Sequence, residues 1–128
     1  MLKLLLVDDE PAVLGLFKQV LELSSFHVQT ARSAEEGVAA LGGDSFDVVV
    51  TDLRMETPLA GYEVVKAAQD LHPRPAIALV TAFPVPTAEW KRAGADALFV
   101  KGQNTLNLGD ELVQLANSHA AGGDEGLQ

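Results

Sequence analysis

The sequence predicts an α/β protein in which helices cover both faces of one parallel sheet. Strand-like and helix-like segments alternate five times along the 128 residues. The strand-like segments are continuous apolar runs rich in β-branched residues, such as FDVVVT at 46–51. Such runs are typical of strands buried on both faces, whereas a sheet with one wet face shows alternating apolar and polar residues. Parallel strands joined by helices need right-handed crossovers, which place helices on both faces.

The first strand is predicted at residues 2–7. Pro11 follows it closely and suits the first turn of a helix, because proline lacks an N–H group that would go unpaired there anyway. Apolar residues recur on one stripe as far as Leu23, which predicts a helix over 11–23. A short second strand is predicted at 27–30.

The second helix is predicted to begin after Ser33. Glu36 lies three residues later and completes a capping box, and the glycine pair at 42–43 ends the helix. The buried run at 46–51 is the third strand. A loop that contains a proline and a glycine then leads into a third helix over about 62–71.

The last part of the chain repeats the pattern twice. A fourth strand is predicted at 76–80, a short helix at 87–93, a fifth strand at 97–100 and a final helix at about 105–119. The small and polar residues at 121–128 are typical of a flexible tail.

Composition argues against several kinds of function. The net charge of −9, from 18 acidic and 9 basic residues, disfavours binding to a nucleic-acid backbone or an anionic membrane. There is no cysteine, which excludes disulfides and thiolate metal sites, and the three histidines lack metal-ligand spacing. No apolar stretch approaches the roughly 20 residues that span a bilayer, and no signal peptide is visible. We therefore expect a cytoplasmic domain.

Polar residues follow four of the five predicted strands at their carboxyl ends. They are Asp8 and Asp9 after the first strand, Asp52 after the third, Thr81 after the fourth and Lys101 after the fifth. Each has an ordinary explanation when taken alone, as a turn former, a strand residue or a surface amine. The carboxyl ends of parallel strands meet at one edge of the sheet, so their coincidence indicates a functional site.

The three aspartates indicate a metal. Carboxylates crowded at the end of a buried sheet repel one another and lose hydration, unless a cation offsets their charge. A set of oxygen ligands without histidine or cysteine favours a hard, partly hydrated ion such as Mg²⁺. A bound metal would in turn allow an anionic phosphoryl group to approach a carboxylate.

Four segments carry a resemblance to a known family. They are LLVDDEP at 5–11, VVTDLRM at 49–55, ALVTA at 78–82 and LFVK at 98–101. In this order and spacing the chain resembles the receiver domain of bacterial response regulators, of the chemotaxis-regulator kind, over about residues 2–119. The resemblance implies a flavodoxin-like, doubly wound sheet of five parallel strands in the order 2-1-3-4-5. It also implies a receiver domain at 1–120, followed by the flexible tail at 121–128.

The resemblance further implies a phosphorylation-dependent signalling switch of a two-component system. By position, Asp52 accepts a phosphoryl group from a histidine kinase or a histidine phosphotransfer protein, and Thr81 and Lys101 hold the phosphoryl oxygens. The implied ligands of Mg²⁺, or Mn²⁺, are the side chains of Asp8, Asp9 and Asp52 and the backbone carbonyl of Arg54. Such a phosphoacceptor catalyses only its own phosphorylation and dephosphorylation and is otherwise not an enzyme. We expect a monomer or weak dimer with a downstream protein target and no direct contact with nucleic acid or membrane.

Two loops near the site depart from the family pattern. Gly61 lies nine positions after Asp52, where the family has a glycine at eight, and the usual Met-Pro pair is interrupted. This one-residue insertion predicts a reshaped loop that keeps its ligand. Gly102 follows Lys101 where the family has proline, so we expect a looser loop there.

The face that commonly carries the output signal also departs from the pattern. Leu98 stands where the family often has a rotating tyrosine or phenylalanine. Pro84 and Pro86 shorten the fourth helix to about two turns. We therefore expect that output does not depend on rotation of an aromatic side chain.

Three alternatives remain open. A phosphatase of the haloacid dehalogenase kind would need Asp-x-Asp after the first strand, where this chain has DDEPA, and additional chain for a cap. A flavodoxin-like mononucleotide carrier would need a first loop rich in hydroxyl groups and glycine. A pseudo-receiver would keep the fold as a docking module that is never phosphorylated.

Overall fold

The computed structural model describes the backbone of residues 1–103 and 105–126 and the side chains of residues 1–103 and 105–121. In that part of the chain, five strands alternate with five α-helices. The strands are β1 (Lys3–Val7), β2 (His27–Ala31), β3 (Val48–Asp52), β4 (Ala76–Thr81) and β5 (Ala97–Val100). The helices are α1 (Pro11–Leu23), α2 (Ala34–Gly43), α3 (Ala60–Gln69), α4 (Thr87–Ala93) and α5 (Leu108–Gly126), with a 3₁₀ turn at Thr105–Asn107.

The sheet is parallel throughout, in the order β2-β1-β3-β4-β5. The prediction of a doubly wound, flavodoxin-like sheet is therefore confirmed. Successive residues of β1 face opposite sides, so that Leu6 packs with α1 and α5 while Leu5 packs with α2 and α3. Because both faces are covered, β1, β3 and β4 are almost wholly buried, which explains their uninterrupted apolar sequences.

The start of α2 lies where the sequence predicts it, directly after Ser33. The Ser33 side chain accepts a hydrogen bond from the Glu36 N–H at 3.0 Å, and Glu36 Oε1 accepts from the Arg32 N–H at 3.2 Å. The first bond is the N-cap contact, which satisfies an amide that the helix itself leaves unpaired. The second departs from a strict capping box, because Glu36 accepts from the N–H of Arg32, one residue before the N-cap Ser33, and not from that of Ser33.

The start of α3 differs from the prediction by two residues, because the helix begins at Ala60. Gly61 lies in its first turn and donates its N–H to Leu53 O at 2.8 Å. A Cβ at Gly61 would lie 2.7 Å from Leu53 Cα, so glycine allows α3 to begin directly against the end of β3. The close approach fixes the loop at 53–59, which carries part of the site.

The last helix also differs from its predicted end near His119, since α5 extends to Gly126. Ala120 and Ala121 favour continuation of the helix, and no proline interrupts it. The prediction of a flexible tail at 121–128 thus overlaps helical backbone at 121–126, while residues 127 and 128 lie outside the described part. None of the described helices combines the length and apolar character needed to cross a bilayer.

Candidate functional site

Four strands bring their terminal residues together at the carboxyl edge of the sheet. Asp52 ends β3 and Thr81 ends β4, whereas Asp8 directly follows β1 and Lys101 directly follows β5. The Lys101 ammonium lies 2.9 Å from Asp8 Oδ2 and 3.0 Å from Asp52 Oδ2. The Lys101 N–H also donates to Thr81 O at 2.8 Å, so this lysine is held at both its backbone and its side chain.

The two carboxylates and one ammonium group leave a surplus of negative charge in a buried place. Asp8 is 2 % exposed and Asp52 is 6 % exposed. Burial raises the pKa of Asp52; the hydrogen bond from Lys101 opposes this rise, and the charge of Asp8 adds to it. Burial alone would lower the pKa of Lys101, but its hydrogen bonds with Asp8 and Asp52 raise it on balance, which keeps the ammonium charged.

The acidic run after β1 fits a divalent cation. Carboxylate oxygens of Asp8, Asp9 and Glu10 lie within 4.8 Å of one another, with Asp8 buried and the other two exposed. The Glu10 N–H donates to Asp8 Oδ1 at 3.0 Å, which turns the chain tightly after the strand. A site built from oxygen ligands beside a buried surplus of negative charge has the chemistry that Mg²⁺ prefers.

A cavity of about 180 Å³ opens onto Asp52. It is lined by Glu10, Asp52, Arg54, Thr81, Ala82, Phe83 and Lys101. Glu10 is not among the site residues predicted from the sequence, although its place in the run DDE was a signal. Cofactor pockets typically measure about 300–1,000 Å³, so this cavity suits a phosphoryl group better than the mononucleotide of a flavodoxin-like carrier.

Two side chains at the mouth of this cavity are arranged in ways the sequence did not indicate. The Thr81 hydroxyl donates to Phe83 O at 3.1 Å, so it is directed toward its own loop. The Arg54 guanidinium carbon lies 5.4 Å from the centroid of the Phe83 ring, a cation–π arrangement. Because both Arg54 and Phe83 are exposed, the pair forms an outer rim over Asp52.

The departures from the family pattern have definite structures. Gly102 adopts φ +85°, a conformation closed to proline, whose ring fixes φ near −65°. The looseness expected of this loop stays a prediction. Leu98 is half-buried and packs on the side of α3 with Trp90, whereas Phe99 packs on the opposite face of the sheet. The neighbouring phenylalanine therefore does not occupy the place of the usual aromatic residue.

The sequence matches one family model, described as the response regulator receiver domain, over residues 4–112. The response regulator protein PilR of Pseudomonas aeruginosa is 32 % identical over 81 residues, which cover 63 % of this chain and 18 % of PilR. The transcriptional regulatory protein GlrR of Escherichia coli is 35 % identical over 79 residues, which cover 62 % of this chain and 18 % of GlrR. The match thus spans less than a fifth of either curated relative.

Solved structures resemble the chain over nearly its whole length. A CheY-like response regulator receiver domain protein from Methanospirillum hungatei has a TM-score of 0.84 at 26 % identity, covering 94 % of this chain and 98 % of that one. The response regulator TrrA from Thermotoga maritima, solved in complex with Mg²⁺ and BeF, has a TM-score of 0.79 at 27 % identity, covering 90 % of this chain and 99 % of that one.

Proposed function

The chain belongs to the response regulator receiver domain family, and from this premise we propose that it is a signalling switch that accepts a phosphoryl group on Asp52 with the help of a divalent cation. The observation that carries the proposal is the arrangement of Asp8, Asp52 and Lys101, in which two buried carboxylates share one ammonium group. A further positive charge, as from a divalent cation, would relieve this arrangement and would also allow an anionic phosphoryl group to approach Asp52.

The transfer is a displacement at phosphorus. A carboxylate oxygen of Asp52 forms the new P–O bond while the bond from phosphorus to the donor breaks, and the leaving group keeps that electron pair. Mg²⁺ held by Asp8, Asp9, Asp52 and the backbone carbonyl of Arg54 would supply neutralising charge for the phosphoryl oxygens. The protein otherwise contributes mainly position and charge, because little further covalent chemistry is required.

Lys101 and Thr81 are the groups whose contacts would change on phosphorylation. Lys101 leaves one of its carboxylate partners and binds a phosphoryl oxygen, which keeps its charge compensated. The Thr81 hydroxyl exchanges its bond with Phe83 O for one with the phosphoryl group. A state that gains both contacts is favoured over one that lacks them, and this difference is the basis of the switch.

The phosphodonor we propose is a histidine kinase or a histidine phosphotransfer protein. The family implies that the chain interacts with this donor in the cytoplasm. The chain acts as a phosphoacceptor that catalyses only its own phosphorylation and dephosphorylation. The alternative is a pseudo-receiver that serves as a docking module. No contact among the described residues favours that alternative. Asp52, Thr81 and Lys101 all border one cavity, which is the arrangement that a phosphoacceptor needs.

Intact-mass measurement tests the proposal. After incubation with acetyl phosphate and Mg²⁺, we expect the wild-type chain to gain one phosphoryl group, and chelation of the metal to prevent it. Asp52→Asn should gain none, whereas the control Asp96→Asn, at the opposite end of the sheet, should be labelled like wild type. Labelling of Asp52→Asn would refute Asp52 as the acceptor, and no labelling of wild type with either Mg²⁺ or Mn²⁺ would favour the docking module.

A further inference from the structure

The loop that carries Arg54 is tied to the start of α2 by the side chain of Glu56. Glu56 Oε1 accepts a hydrogen bond from the Ala34 N–H at 3.1 Å, and Oε2 accepts from the Glu35 N–H at 3.3 Å. These partners lie 22 and 21 residues earlier in the chain, so the contact joins two separate elements. The carboxylate thus binds two N–H groups of the first turn of a helix, where negative charge is favourable.

The α2 helix has an N-cap residue of its own beside the contact with Glu56. The Ser33 side chain accepts from the Glu36 N–H, whereas Glu56 accepts from the two preceding amides of Ala34 and Glu35. Burial acts to raise the pKa of Glu56, but hydrogen bonds led by the one from Ala34 hold it below its ordinary value, in keeping with a charged carboxylate that accepts them. The Glu56 contact therefore links two elements at a helix end that also carries its own N-cap residue.

The link fixes the part of the loop that borders the site. Arg54 lies between Asp52, the last residue of β3, and Met55, which is half-buried against the core on the side of α2 and α3. Glu56 holds the next position to α2, and the Gly61 N–H holds the loop end to Leu53 O. A peptide group between anchored neighbours has little freedom to turn its carbonyl.

We infer that Glu56 is a positioning residue, which orients the backbone carbonyl of Arg54 for cation and phosphoryl binding at Asp52 by anchoring the loop to α2. The inference rests on the proposed function, since the backbone carbonyl of Arg54 matters to the site only as a ligand. It also explains how a loop lengthened by one residue keeps that ligand in place. Loss of residues that orient metal ligands typically costs about 10- to 100-fold in metal affinity.

The test compares Mg²⁺ affinity among matched variants by isothermal titration calorimetry. We expect Glu56→Ala to raise the Kd for Mg²⁺ about tenfold. Glu56→Gln, which retains one acceptor oxygen, should recover part of that loss. The control is Ser33→Ala, which removes the helix's own cap at the same end of α2 without touching the loop. It should lower the stability of the fold and leave the Kd for Mg²⁺ within about twofold of wild type.

The same variants are then incubated with acetyl phosphate over a range of Mg²⁺ concentrations. We expect the Mg²⁺ requirement of Glu56→Ala to increase in parallel with its Kd, with full labelling at saturating metal. An unchanged Kd in Glu56→Ala would overturn the inference, as would an equal loss in Ser33→Ala. Failure of wild type to be phosphorylated despite Mg²⁺ binding would refute the proposed function, while the comparison of Kd values would still decide the role of Glu56.

Discussion

The amino and carboxyl ends of the sheet both carry charged residues, but they compensate charge differently. At the amino end Arg74 pairs with Asp96 at 3.0 Å, and Lys3 pairs with Asp44, one base to one acid. Asp96 Oδ2 also accepts from the Ile77 N–H at 2.8 Å, which ties this pair to the start of β4. At the carboxyl end, two carboxylates more deeply buried than any of these acids share the single ammonium of Lys101.

The two ends of the sheet also differ in cavity size, and the larger cavity does not lie at the end with the buried, unevenly paired carboxylates. The cavity at the amino end measures about 630 Å³, against about 180 Å³ at the carboxyl end, and Phe46, Pro75 and Ala116 form part of its lining. At the larger cavity Arg74 is paired with Asp96 and the Asp47 carboxylate accepts from the Lys3 backbone N–H, whereas at the smaller one two buried carboxylates share one ammonium group. In this protein the arrangement of charge, and not volume, distinguishes the candidate site from a gap between packed elements.

The largest effect that separates the two ends should come from removing their cations. In Lys101→Met the phosphoryl oxygens lose a charged donor, so we expect the initial rate of labelling by acetyl phosphate to decrease about 100-fold. In Arg74→Met the loss of a half-exposed pair should reduce stability by about 1 kcal/mol and leave the labelling rate near wild type. Labelling is followed by intact mass. Equal labelling rates in the two variants would show that the cations at the two ends of the sheet do not differ in their effect on phosphorylation.

A second difference should appear in stability measured without metal. Folding raises the pKa of Asp52 above its ordinary value of 3.8, so the unfolded chain ionises first as the pH increases. Wild type should therefore lose stability relative to Asp52→Asn as the pH rises from 3.8 to the folded pKa, and the two should match below 3.8. We expect Asp52→Asn to be more stable by roughly 1 kcal/mol at pH 7 in urea unfolding. An Asp52→Asn variant less stable than wild type at pH 7 would contradict this.

A smaller effect concerns the rim of the site. In the proposed phosphorylated state, the exposed pair of Arg54 and Phe83 would cover the approach of water to Asp52, and the Phe83 side chain cannot orient water by hydrogen bonding. We expect slow autodephosphorylation, accelerated about two- to fivefold in Phe83→Glu or Arg54→Asn, which corresponds to the strength of an exposed cation–π contact. Decay of the labelled mass after removal of the phosphodonor measures this. Phe83→Leu keeps an apolar rim but loses the aromatic contact with Arg54, so it shows which of the two slows decay. Equal or slower decay in both Phe83→Glu and Arg54→Asn would count against it.

The smallest expected effect is on oligomeric state. No described residue of α4 is buried. Leu98 in β5 has neither the ring nor the hydroxyl group of the usual switch residue, so its inward rotation would bury little additional apolar area. We expect sedimentation of the chain to be unchanged by BeF₃⁻ with Mg²⁺, a phosphoryl mimic. A dimer that forms with the mimic and is lost on charge reversal at Lys91 or Arg92 would show that the α4–β5–α5 face is an interface after all.

Local sequence patterns were enough to predict most of the fold. Continuous apolar runs identify buried strands, and the ends of those runs place Asp8, Asp52, Thr81 and Lys101 at one edge of the sheet. That inference needs only the direction of the strands. Element ends were less predictable where tertiary contacts decide them. The early start of α3, for example, depends on how closely Gly61 approaches the end of β3.

The arrangement within the site was less accessible to sequence reasoning. The contact of Glu56 with α2 spans more than 20 residues and leaves no local pattern. The orientation of the Thr81 hydroxyl depends on the course of the loop at Phe83, and the pairing of Arg54 with Phe83 depends on two loops at once. These features arise between elements, so they follow from packing and not from the identity of a single residue.

The most direct test is the effect of Mg²⁺ on the free energy of unfolding of wild type, Asp52→Asn and Asp96→Asn. A cation that binds only the folded state at ten times its Kd stabilises that state by about 1.4 kcal/mol. We predict this increase in the free energy of unfolding for wild type and for Asp96→Asn, which keeps both buried carboxylates at the carboxyl end of the sheet. For Asp52→Asn we predict less than half of the increase. Equal stabilisation of wild type and Asp52→Asn by Mg²⁺, or none in wild type, would contradict a cation site built on the buried surplus of negative charge.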